Sequence, residues 1–142
     1  MKNKIIFSCL TFAALYFAAG CAGNFNLSGQ WQGKMIQRNG PRGESAYVMS
    51  YNLTQVDSTV SGISRIEIPE TPYYAEMKLK GTIKNDTLYF DEIKILKQNE
   101  REGYFWCLKK GTLKINVKNK EIEGKWASSD CTPGVIYMAK VH

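Results

Sequence analysis

Polar and apolar residues alternate along most of the chain after about residue 27. Tyr47, Met49, Tyr51 and Leu53 form one such row, Met77, Leu79 and Ile83 a second, and Val135, Tyr137, Ala139 and Val141 a third. A period of two with β-branched and aromatic enrichment predicts strands, and no segment here carries a helical period. Turn-forming clusters punctuate the pattern at 38–45, 56–59, 69–72, 84–86, 98–103, 118–120 and 129–134. The result is eight expected strands, at 28–38, 46–56, 59–68, 73–84, 87–97, 104–116, 120–128 and 134–141.

The connections alternate in length. Those near Asp57, Asn85-Asp86 and Asn119 are tight, and those between them are longer. This rhythm fits an antiparallel up-and-down meander with short turns at one end and long loops at the other. Eight such strands can close into an all-β barrel, which removes exposed sheet edges. The interior of such a barrel is just filled by side chains or holds one small ligand. Glycines at 33, 62, 81, 111 and 124 fall inside strands, where they are expected to mark bulges or sharp bends.

The first twenty residues follow a different pattern. Lys2 and Lys4 precede "IIFSCLTFAALYFAA", an uncharged run suited to the apolar region of a secretory signal and short for a membrane span. Ala18-Ala19-Gly20 then leads into Cys21, which resembles the lipobox of bacterial lipoproteins. That resemblance implies a signal peptide at 1–20, cleavage before Cys21, lipid on its sulfur, and a short tether at 21–26 before a barrel at 27–142. An ordinary signal peptide with an incidental Cys21 is the alternative.

Composition narrows the function. Without Lys2 and Lys4 the chain holds 17 Lys and Arg against 13 Asp and Glu, a scattered excess unlike the dense basic stripe of a nucleic-acid surface. The single histidine, His142, is terminal, and no CxxC spacing occurs, so neither a metal site nor a histidine-assisted nucleophile is expected. Asp91 and Glu92 are adjacent on a strand and face opposite ways, while Glu100 and Glu102 fall in a loop. We therefore expect no catalytic residues, no cofactor and no enzyme. With Cys9 in the signal segment and Cys21 lipidated, Cys107 and Cys131 remain, and two thiols in an oxidising compartment are expected to pair. The meander brings both toward the long-loop end.

"LSGQWQG" at 27–33 resembles the first-strand Gly-x-Trp of the calycin superfamily, which comprises lipocalins, fatty-acid-binding proteins and avidins. The resemblance implies that Gly29 and Trp31 mark the closed end of the barrel, with Lys140 from the last strand packed across the indole. The segment from 105 to 140 also looks like a lipocalin-like domain of exported Bacteroidota proteins. The first long loop is shorter than in typical lipocalins, the helix before the last strand is missing, and the avidin biotin-site pattern is absent, so no ligand carries over. A second Gly-x-Trp, at Gly124 and Trp126, is expected to fill the barrel wall.

Two functions follow as expectations. One is a tethered barrel that binds a small apolar or amphipathic ligand at the long-loop end through Tyr47, Tyr73, Tyr74, Tyr104, Trp106 and Tyr137. The other is a filled barrel acting as an envelope subunit or hydrolase inhibitor. The neutral Ala22-Gly23-Asn24 after Cys21 lacks the acidic surface-export signal of Bacteroidota lipoproteins, which implies a periplasm-facing protein on the outer membrane. "DST" and "DTL" resemble the O-glycosylation motif of that phylum, with Ser58 and Thr87 as acceptors.

Overall fold

The computed structural model describes residues 25–39 and 43–142. Residues 1–24, which hold the expected signal segment, Cys21 and most of the expected tether, and residues 40–42 lie outside the described residues. The strands are β1 (Gly29–Arg38), β2 (Glu44–Val56), β3 (Thr59–Glu67), β4 (Tyr74–Lys84), β5 (Thr87–Asn99), β6 (Lys110–Asn116), β7 (Glu121–Ala127) and β8 (Gly134–Lys140). Each pairs antiparallel with its sequence neighbours, and β8 returns to β1, closing an eight-stranded up-and-down barrel.

Alternation places one row of each strand inside. Trp31 and Met35, Met49, Tyr51 and Leu53, Val60, Met77 and Leu79, Leu88 and Phe90, Leu113, Ile122, Ile136 and Met138 are all buried there. The tight turns suit their residues. Asp57 and Asn85 take φ of 54° and 55°, a left-handed conformation that Asp and Asn tolerate better than most side chains.

Two expectations are corrected. In β8 the inner row is Ile136 and Met138, and Tyr137 and Ala139 face outward. Register with β1 fixes this, because Ile136 lies opposite the inward Met35. The sixth strand starts at Lys110, well after the expected residue 104. Register shifts between Glu76/Met77 and Lys78/Leu79 bulge β5, and its pairing with β6 ends at Asp91↔Lys110. Beyond that point the Lys109 N–H donates to the Glu92 side chain at 2.9 Å. Residues 100–109 instead form the long β5–β6 loop at the barrel mouth.

The strand glycines sit at close approaches and carry no bulges. A Cβ at Gly124 would lie 1.9 Å from the Thr112 carbonyl oxygen, so only a missing side chain lets β6 and β7 coil this tightly.

Candidate functional site: the mouth of the barrel

The closed end defines the mouth by contrast. Trp31 is fully buried and its indole N–H donates to the Leu27 carbonyl at 2.8 Å. Phe25 packs edge-on against it, ring centroids 6.2 Å apart. Lys140 brings its ammonium 5.8 Å from the Trp31 ring centroid and 5.4 Å from that of Phe25, and donates to the Asn26 carbonyl at 2.9 Å. Both distances are within cation–π range. Gly29 has φ of 119°, and a Cβ there would meet Lys140 Cε at 3.4 Å. Gly29, Trp31 and Lys140 thus gather at one point where β1 meets β8, beside a surface depression between Phe25, Ile83 and Ile115.

At the opposite end the long loops surround a cavity of about 70 Å³. Met35, Ile66 and Ile68 supply apolar wall, and Tyr47, Tyr73, Tyr104, Phe105 and Trp106 supply aromatic rim. The polar lining comes from Gln37, Glu100, Arg101, Lys109 and Trp126. Below this cavity the barrel is filled by the buried rows. The sulfurs of Cys107 and Cys131 meet at the rim with Cα atoms 6.2 Å apart, within disulfide reach. This ties the β5–β6 loop to the β7–β8 loop beside the cavity.

A polar cluster lies beneath the mouth. Lys109 Nζ is 2.8 Å from Glu92 Oε2, and both side chains are essentially solvent-free. Ser64 Oγ donates to the other Glu92 oxygen at 2.5 Å, and Lys109 Nζ also donates to the Cys107 carbonyl at 3.2 Å. A buried ion pair needs such additional hydrogen bonds to offset desolvation. The Tyr51 hydroxyl is also buried, and no partner reaches it among the described residues. Burial, reinforced by the Glu92 carboxylate, holds its phenol well above the ordinary tyrosine range.

Of the six expected ligand-contacting aromatics, the mouth gathers Tyr47, Tyr73, Tyr104 and Trp106. Tyr74 is on the outer wall, stacked 4.0 Å from the Arg65 guanidinium. Arg65 also bridges Glu67 and, at 2.7 Å, Glu76. Tyr137 faces outward near the Lys34 ammonium. Both fall outside the cavity because their strand neighbours occupy the inner row. Ser58 is exposed at the β2–β3 turn, while Thr87 is half-buried and donates to Asp86. Sequence reasoning did not anticipate Phe105, Lys109 or the Glu92 pair. The opposed faces of Asp91 and Glu92 were the available signal, since they turn one carboxylate inward.

No protein-family model matches the chain, and no curated protein matches it.

Proposed function

We propose that this barrel is a binding module that takes a small apolar or amphipathic ligand at its mouth. The observation that carries this reading is the convergence of five tyrosine and tryptophan side chains on one apolar cavity above a filled interior. Ligand sites are typically concave and apolar with a few convergent polar groups. This cavity is small against the usual range of about 300–1,000 Å³, so the ligand inserts a head and lays its remainder on the rim. Titration with short-chain alcohols and indole, followed by methyl NMR, tests it. Shifts should concentrate at Met35 and Ile66 and weaken in Trp106→Ala. Shifts confined to the closed end around Leu27 and Leu53 would contradict it.

The lipoprotein reading belongs to the same proposal. Cys21 carries the lipid and places the barrel at the envelope, on the periplasmic side of the outer membrane. Phe25 and Leu27 pack at the closed end, and four residues reach at most about 14 Å. The closed end then faces the bilayer and the mouth points away from it. Loss of membrane fractionation in Cys21→Ala is the expected result.

A second reading, docking of a protein partner, is favoured by Tyr104 and Phe105. They are 61% and 65% exposed on one loop, and clustered exposed aromatics mark interaction surfaces. Under that reading Phe105→Ser releases a co-purifying chain.

A further inference from the structure

We propose that the mouth selects ligands presenting one uncharged acceptor oxygen, an amide, ketone or ester carbonyl, to the indole N–H of Trp126. This deepens the ligand-binding proposal and rests on it. The chain has three tryptophans. Trp31 donates to Leu27 O at 2.8 Å and Trp106 to Asn99 O at 3.3 Å. Trp126 is only 3% exposed, yet its Nε1 has no partner among the described residues. Buried donors are seldom left unpaired, and an unmade bond there costs free energy.

The register shows where this donor sits. Trp126 lies opposite Gly134 on β8, and Gly134 lies opposite Gln37 on β1. A Cβ on Gly134 would come 2.9 Å from Nε1. The ring edge therefore hangs over the glycine, towards Gln37, and both Trp126 and Gln37 line the cavity. Gln37 is engaged elsewhere. Its oxygen accepts from the Tyr47 hydroxyl at 3.2 Å and its amide donates to Thr132 O at 3.3 Å.

An indole N–H can only donate, so the ligand group must be an acceptor. Charge decides which kind. Lys109 shares the cavity wall, but Glu92 neutralises it at 2.8 Å. Both Glu92 oxygens are occupied, one by Ser64 and one by the Lys109 ammonium and backbone N–H. Arg101 is exposed at the rim, 5.3 Å from the Tyr104 ring, where solvent screens its charge. A carboxylate pressed against the Trp126 N–H would lie at the buried depth of the cavity, where the lining cation, Lys109, is already paired with Glu92, at a large desolvation penalty. A carbonyl carries no such charge; because Nε1 is closed to solvent against Gly134, it meets the donor as the indole edge shifts off the glycine. The size fits as well. One water needs about 10–15 Å³ on this scale, so a cavity of about 70 Å³ admits a carbonyl with a few carbons.

The test uses disulfide-intact protein carrying nitrogen-labelled tryptophan and three probes of similar shape: cyclopentanone, methylenecyclopentane and cyclopentanecarboxylate. Cyclopentanone should move the Trp126 indole signal, leave that of Trp31 in place, and bind roughly three- to tenfold more tightly than the hydrocarbon. In Trp126→Phe that ratio should fall to about one. Equal binding of ketone and hydrocarbon, with Met35 and Ile66 methyls shifting but Trp126 unmoved, overturns the acceptor proposal and leaves the cavity reading standing. Tightest binding by the carboxylate overturns the requirement for an uncharged group. If no probe moves the Met35 and Ile66 signals, the cavity reading fails, and this proposal with it.

Discussion

Tyr51 shows how a single residue sets a pH limit. Its phenol is buried beside Glu92, and its folded pKa is raised. Below about pH 10 both folded and unfolded forms keep the proton, so Tyr51 contributes no slope. Above that pH the unfolded phenol ionises while the buried one stays neutral. Stability should then fall by about 1.4 kcal/mol per pH unit until the folded pKa is reached. Tyr51→Phe removes that increment and, because the hydroxyl is unpartnered, should be neutral or stabilising at pH 7. Urea unfolding of both proteins at pH 7 and above pH 10 reads the difference; parallel alkaline limbs would contradict it. The Glu92–Lys109 pair gives a second residue-scale expectation. Glu92→Leu strands a buried ammonium and should cost about 3–5 kcal/mol. Adding Lys109→Met should recover much of that loss in a double-mutant cycle, and additive losses would argue against coupling. For Glu92 the sequence offered one signal, the opposed faces of an acidic dipeptide, and for Lys109, part of "LKKG", it offered none. The turn back from β5 to β6 sets them side by side, one step past Asp91↔Lys110, and barrel closure makes that interior dry. Trp31 and Lys140 were named from the calycin resemblance alone, and they stand opposite each other where β1 meets β8.

At the scale of elements, alternation and turn chemistry made seven of the eight strands readable to within a few residues. Strand β6 was not. "YFWCLKK" alternates well enough to pass for a strand, but the bulges in β5 and the Cys107–Cys131 link turn it into a loop. The outward face of Tyr137 was missed for a related reason: β8 alternates on both faces, and only its pairing with β1 says which row is inner. Close strand packing predicts a large effect at Gly124. Gly124→Ala drives a methyl to 1.9 Å from the Thr112 carbonyl oxygen and should cost about 3 kcal/mol. A melting curve matching the parent would contradict the tight β6–β7 approach. The cysteine pair closes a separation of 24 residues, for which chain-entropy reasoning gives roughly 3 kcal/mol. Reduction should lower the melting temperature and increase amide exchange across the mouth loops while sparing the closed end. Equal exchange at both ends would show that the link does not organise the mouth.

For the whole molecule, the two ends have opposite characters. One gathers Phe25, Trp31 and Lys140, while the other carries the apolar cavity, the exposed aromatics and the cysteine link. We propose that this asymmetry holds the protein at a membrane with its binding end outward. The central claim is that the mouth holds a small molecule, and native mass spectrometry of protein purified from its own envelope tests it most directly. The account predicts a mass above that of the lipidated polypeptide, with the excess released on mild activation and reduced in Trp106→Ala. A bare polypeptide, or one carrying a second protein chain in place of a small molecule, would contradict it.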